Sequence, residues 1–237
     1  MLNFLPERLH ELPFQLLFIT SETLVSLELV ESSLNNSGRM NLEKNKEVAR
    51  EIARSYYTLS LEALTMLAEI IIPMKFRRGS IVLKEGEVSD YMYYVEKGLI
   101  RQFYKKNNKE VTEHISYEGG MVICIESFFQ RQPTRLMVHA LETSVLYAIP
   151  YDKLQKLTEQ SYEMCQLMFK FLERSLILSQ QKADTLRFET AMERYVRTLR
   201  DHPDIIRRSP LHYVASYLQM TPETLSRVRA AYEANKE

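Results

Sequence analysis

Between Met74 and Pro150 the sequence is cut into short segments, and this cutting constrains the fold more than any other feature of the chain. Met74–Phe76, Ile81–Leu83, Met92–Val95, Ile100–Tyr104, Val111–Ile115, Leu136–Ala140 and Ser144–Ile149 are rich in β-branched and aromatic residues. Turn signals part them at Arg78-Gly79, Glu85-Gly86-Glu87, Lys97-Gly98, Asn107-Asn108 and Gly119-Gly120. Strands of this size at this spacing predict an antiparallel barrel or jelly roll. Five of the six glycines fall in this region, where turns that need positive φ use them.

Helical periodicity flanks the strands. Upstream, 41–54 is charged and helix-forming. Thr58-Leu59-Ser60 then offers a cap, with Leu61, Leu64, Leu67 and Ala68 on one apolar face up to Ile70–Ile72. Downstream, Tyr151–Leu157 reads as a short helix. After it, Met164, Met168, Phe171, Ser175 and Leu178 step by four and three. A second row, Cys165, Phe169, Leu172 and Leu176, runs beside the first. A helix with two adjacent apolar rows has two surfaces to cover. One row can pack on the strands, and the other can meet its twin in a homodimer. About 25 residues make a rod of about 37 Å.

A further helix is predicted over Arg187–Arg200, with Phe188, Ala191, Met192, Tyr195 and Leu199 inward, broken by Asp201-His202-Pro203-Asp204. Last comes Ser209–Tyr232. Leu211, Val214, Ala215 and Leu218 share one helical face. Gln219-Met220 turns the chain. Thr221 stands at an N-cap position and Pro222 at the first helical position. Leu225 and Val228 then face inward, leaving Glu223, Thr224, Ser226, Arg227 and Arg229 outward. The pattern fits a helix-turn-helix, and it also fits an ordinary helical hairpin with solvated charges. In a helix-turn-helix, Arg227 can pair bidentately with guanine, Glu223 can accept from a cytosine amino group, and Ser226 is a third reader. Thr221 and Arg229 suit phosphate contacts.

Net charge is zero across 237 residues, so no global basic field announces nucleic acid. From Arg187 onward nine Arg/Lys meet seven Asp/Glu, so any basic patch is local. Two cysteines, Cys124 and Cys165, are too few for a disulfide scaffold or an iron–sulfur cluster and suggest a reducing compartment. Of the five histidines only His114 and His139 fall on predicted strands, too few for a metal-dependent jelly-roll enzyme. Phe14–Ile19 is too short to span a bilayer, and with no basic start and no small-residue cleavage site around it the stretch does not read as a signal peptide. Residues 1–45 read as an N-terminal extension, either a helical arm or a weakly ordered leader ahead of a natural start at Met40.

The run from Phe76 to Glu87, FRRGSIVLKEGE, followed by Tyr93-Tyr94-Val95-Glu96-Lys97-Gly98, resembles the opening strands of the cyclic-nucleotide-binding β-roll. With the C-terminal PETLSR helix, the stretch Thr58–Tyr232 resembles the cyclic-AMP receptor protein/fumarate-nitrate reduction regulator (Crp-Fnr) family. The resemblance implies an α+β protein: a β-roll sensor domain over 46–157, a dimerisation helix over 158–186, and a helix-turn-helix domain over 187–237. It implies a cytoplasmic homodimer, not an enzyme, that binds double-stranded DNA and regulates transcription, with RNA polymerase a candidate partner and no membrane association. The alternative is a ligand-binding module whose hairpin has lost DNA contact. Glu223, Ser226 and Arg227 match the family's base-reading positions.

Two departures from the family stand out. Gln219 occupies the turn position where glycine is usual, which predicts a slightly strained turn. In the roll, Glu126 follows Ile125 where the family's ribose-binding Glu follows glycine. Thr134-Arg135 stands near the phosphate-binding Arg-Ser pair, with its basic residue displaced by one, which turns a strand side chain to the opposite face. Glu126, Thr134 and Arg135 are therefore effector-pocket candidates for something other than cyclic AMP, or Glu126 and Arg135 are simply solvated. No cofactor is identified.

Overall fold

The structure is a computed structural model that describes residues 41–107 and 109–235. The expectations for the N-terminal arm and for Met40 lie outside them. Two four-stranded antiparallel sheets form the middle of the chain. One runs β1 (Ile72–Phe76), β8 (Ser144–Pro150), β3 (Tyr91–Lys97), β6 (Met121–Val122). The other runs β2 (Ile81–Leu83), β7 (Met137–Ala140), β4 (Ile100–Lys106), β5 (Lys109–Ser116). The seven predicted strands are all present, several of them longer by a residue or two. The two-residue strand β6 and the helix α3 (Ile125–Gln130) fall between the fifth and sixth predicted strands, where the sequence pattern predicts no element. Neither is long enough to show a period.

Alternation along the strands fills the space between the sheets with apolar side chains. Leu83, Val95, Ile100, Val122, Val138 and Leu146 make one buried cluster. Each such side chain contributes about 1.5–3 kcal/mol of transfer free energy. The β3–β4 connection brings Gly98 against β8. At its φ of 114° any Cβ would collide with Ser144, so only glycine fits.

Helices pack outside the roll. The first, α1, is helical over 41–56 and is tied to the end of α2 (Leu61–Ile70) by Asn45, whose side-chain amide donates to Ala68 and Ile71 carbonyls at 3.0 and 2.8 Å. Ser60 caps α2, as its position predicts. After α4 (Tyr151–Gln160) comes the long α5 (Tyr162–Phe188), 27 residues and about 40 Å of helix. Its two predicted rows differ only over the first half of the helix, because Leu178 at the far end of the first row is 54% exposed. Met164 and Phe171 of the first row are buried, with the Phe171 ring edge-on to Tyr56 at 5.4 Å. The second row lies open: Phe169, Leu172 and Leu176 are 57%, 38% and 69% exposed.

The sequence reading runs α5 and its successor together at one point. Phe188, expected inward on a helix over 187–200, is instead the last residue of α5 and is 79% exposed. The chain breaks at Glu189, and α6 (Ala191–Asp201) restarts behind a capping box in which the Thr190 hydroxyl and the Glu193 carboxylate satisfy each other's backbone N–H. That Thr-x-x-Glu spacing is visible in the sequence. Pro203 then opens α7 (Pro203–Arg208), which buries Ile205.

The last two helices are α8 (Leu211–Tyr217) and α9 (Pro222–Ala234). The C-terminus of α8 closes as a Schellman motif. Met220 N–H donates to Ala215 C=O at 2.9 Å and Gln219 N–H to Ser216 C=O at 3.1 Å. The motif needs a left-handed residue between them, and Gln219 supplies it at φ 51°. The strained turn expected from the sequence is present. Gln219→Gly is expected to stabilise the protein by about 0.5–1 kcal/mol, read as a higher urea midpoint at unchanged slope.

Candidate nucleic-acid interface

Thr221 starts α9. Its hydroxyl accepts from Thr224 N–H at 3.2 Å, and Pro222 occupies the first turn, where its missing N–H costs nothing. The inner face of α9 is apolar. Leu225 and Val228 are buried with Tyr195, Val214, Ala215 and Leu218, and Tyr232 meets the Tyr195 ring edge-on at 5.7 Å. Arg194 reaches across from α6 and donates to Leu218 C=O at 2.9 Å, which holds the turn down.

The outer face carries the predicted readers. Glu223, Ser226, Arg227 and Arg229 are exposed, and Thr224 is half-buried. Arg227 Nη2 leans to Thr224 Oγ1 at 3.4 Å, a long contact that a base edge can displace. The Glu223 carboxyl is held below its ordinary pKa by its own backbone N–H, then by the Thr221 hydroxyl and by Arg227. It is a carboxylate at neutral pH, ready to accept.

The effector candidates do not converge. Glu126 on α3 and Arg135 before β7 are both exposed. Thr134 is buried, and its hydroxyl accepts from Leu136 N–H at 2.9 Å. Arg131 is the basic side chain that turns in beside α3. In a left-handed C-cap conformation, it donates to Ser89 C=O at 2.8 Å, pairs with Asp90 and lies over the Tyr151 ring at 4.3 Å. Those partners occupy its guanidinium. An apolar cavity of about 290 Å³ opens between α3, α4 and α5, lined by Phe128, Phe129, Leu154, Met168, Phe169 and Leu172.

A joint between the roll and the C-terminal helices carries residues that sequence reasoning missed. Arg101 on β4 is fully buried on the outer face of its sheet. Its guanidinium lies between the Phe103 ring at 4.1 Å and the Tyr213 ring of α8 at 3.8 Å. Ser216, further along α8, accepts from Thr112 N–H at 2.9 Å and donates to Glu110 C=O at 3.2 Å. At the other end, Arg208 of α7 pairs with Glu118 at 2.6 Å and Glu142 at 2.7 Å. The Arg208 hydrogen bond holds the Glu118 carboxyl down at about 2. Tyr117 meets His202 Nδ1 at 2.9 Å. Leu99, Ile115, Leu141 and Ile205 fill the space between. Arg101 is one more charge on a strand until the fold puts an aromatic ring on each side of it.

A double-sheeted roll, a long helix and a C-terminal pair of helices joined by a left-handed turn follow one another in that order, and the chain shares this fold with solved structures. Within it, residues 73–161 match the cyclic nucleotide-binding domain family. Similar solved structures share the fold at low identity. FixK2 from Bradyrhizobium japonicum superposes with a TM-score of 0.62 at 17% identity, covering 70% of this chain and 86% of that one. The c-di-GMP-responsive global regulator CLP from Xanthomonas campestris gives 0.59 at 18%, covering 75% and 93%. A mutant of CooA from Carboxydothermus hydrogenoformans gives 0.54 at 17%, covering 70% and 78%. No curated protein matches the chain in sequence. Among the described residues no helix is long and apolar enough to cross a membrane.

Proposed function

We propose that this protein is a dimeric, sequence-specific DNA-binding regulator of transcription, whose roll senses an effector other than cyclic AMP. One observation carries the reading. The helix after a left-handed turn, α9, buries Leu225 and Val228 and leaves Glu223, Ser226 and Arg227 exposed beside its capped N-terminus, where a major groove receives them. In this reading Thr221, Thr224 and Arg229 hold the flanking phosphates.

The open row Phe169, Leu172, Leu176 on α5 supports a homodimer, because a stripe this apolar is normally covered. The division into a roll over 46–157, a dimerisation helix over 158–186 and a DNA-binding domain over 187–237 belongs to the same proposal. A paired α5 then holds two α9 helices about 34 Å apart, one turn of duplex. An effector shifts that spacing only through its unequal affinity for two packings. The apolar roll interior and the exposed positions of Glu126 and Arg135 argue against a cyclic phosphate there. The cavity beside Phe128 and Phe169 has room for an apolar effector.

Selection from random duplexes with the full chain tests the reading. A palindrome with half-sites one helical turn apart is the expected product. Recovery of no enriched sequence, from protein that elutes as a folded dimer, favours a ligand-binding module without DNA activity.

A further inference from the structure

The β4–β5 hairpin ends in Lys105, Lys106 and Lys109, all exposed and without an ion-pair partner among the described residues. The hairpin's two carboxylates are both engaged elsewhere. Glu110 receives Arg101 Nη1 at 2.6 Å, and Glu113 receives Lys182 Nζ of α5 at 2.6 Å. Three ammonium groups are left unopposed at one tip.

The tip has a fixed neighbour. The C-terminal helices climb β5 from its base to its tip. Arg208 of α7 holds Glu118 just past the end of the strand, Tyr213 stacks on Arg101 midway, and Ser216 hydrogen-bonds Thr112 and Glu110 near the top. The turn that launches α9 begins two residues beyond Ser216. Lys105 stands directly across the ladder from Glu110, so it shares the sheet face on which α8 lies, while the next pair, Lys106 and Lys109, alternates to the other face of the same tip. When a helix-turn-helix docks, its first helix crosses the phosphate backbone while the second enters the groove. An element strapped along the first helix therefore comes to the same backbone.

Resting on the DNA-binding reading above, we infer that this hairpin tip is a second DNA contact, made by the roll: Lys105, Lys106 and Lys109 grip backbone phosphates flanking the half-site that α9 reads. The contact is electrostatic and carries no base information. It adds affinity and couples the roll to DNA directly, since the hairpin is also what α8 is docked on.

The salt dependence of binding tests it. The full chain and the triple variant Lys105→Ala/Lys106→Ala/Lys109→Ala are titrated onto the selected operator duplex, with long flanks, between about 50 and 200 mM NaCl. The slope of log K against log salt is expected to fall in magnitude by about 1–3 per protomer in the variant, with the order of preferred sequences unchanged. The triple Lys→Arg variant keeps the wild-type slope. Trimming the duplex to the half-sites reduces the wild-type slope and leaves that of the alanine variant as it was. Equal slopes for wild type and alanine variant on long flanks overturn the inference. Equal slopes with loss of polymerase in a pull-down overturn it in favour of a protein contact. Wild type that binds no duplex at all brings down the DNA-binding reading and this inference with it, whereas a wild type that responds to Arg227→Ala but not to the lysines fails this inference alone.

Discussion

Arg101→Ala is expected to lower the free energy of unfolding by about 2–4 kcal/mol, and Arg101→Met by less than about half of that. The guanidinium is stacked between Phe103 and Tyr213 and donates to Thr112 Oγ1 at 2.9 Å and Glu110 at 2.6 Å. Alanine removes both stackings and both hydrogen bonds and leaves a void between two rings. Two terms limit the loss. Glu110 is 41% exposed, so the carboxylate left behind is hydrated, not stranded. Arg101 Nη2 also has no hydrogen-bond partner among the described residues, and that orphaned donor already burdens the wild type. Methionine keeps an unbranched apolar stem and a polarizable sulfur against the rings without the orphan, hence the smaller effect. Urea unfolding by circular dichroism gives the magnitude, and hydrogen exchange gives the place. Because Tyr213 belongs to α8 and the other partners to the roll, exchange should quicken in α8 and β5 while the Leu67 and Val95 cores hold. An alanine variant as stable as wild type, with α8 amides equally protected, would show that Ile205 and the Arg208 pairs hold the joint without Arg101.

The strands of the roll and the α8–α9 hairpin were legible because their signals are local. Turn glycines, alternation, an N-cap Thr before Pro, and three-four spacing each need only a few neighbouring residues to be read. The burial of Met164 and Phe171 on α5 was also legible, since their spacing puts them on one helical face. The joint was not. Arg101, Thr112, Ser216, Arg208 and Glu118 are scattered over more than a hundred positions and acquire meaning only when α8 lies on β5. Phe188 was misplaced for the opposite reason. Its apolar character suits an inward position, but the Thr190–Glu193 capping box two residues downstream decides where one helix ends and another starts. Arg131 shows a third kind of gap. The roll's basic candidate from sequence is Arg135, yet the residue that turns in beside α3 is Arg131, which reaches there from a left-handed backbone that no periodicity announces.

Arg227→Ala is expected to cost about 1–3 kcal/mol of DNA affinity at each half-site, or roughly 5- to 150-fold, and to act twice on a palindrome bound by a dimer. Arg227 lies on the exposed face of α9, one turn beyond Glu223, with a long contact to Thr224 and a solvent-exposed attraction to Glu223 to give up. Little is therefore lost inside the protein when it leaves for a base edge, and the fold should be unaffected by its removal. A guanidinium presents two parallel donors that match the two acceptors of guanine, so the penalty should fall on cognate sites and spare others. Arg227→Lys separates geometry from charge: an ammonium still attracts the duplex but cannot make the fork, so base preference at that position should relax nearly as far as with alanine. Arg229→Ala provides the contrast. As a phosphate contact, its loss should weaken all duplexes alike and lower the salt slope by about 1. Binding measured on the selected operator and on duplexes changed at single positions separates the two patterns. If Arg227→Ala weakened every duplex equally, Arg227 would be a phosphate contact, and Glu223 and Ser226 would be left to carry the reading.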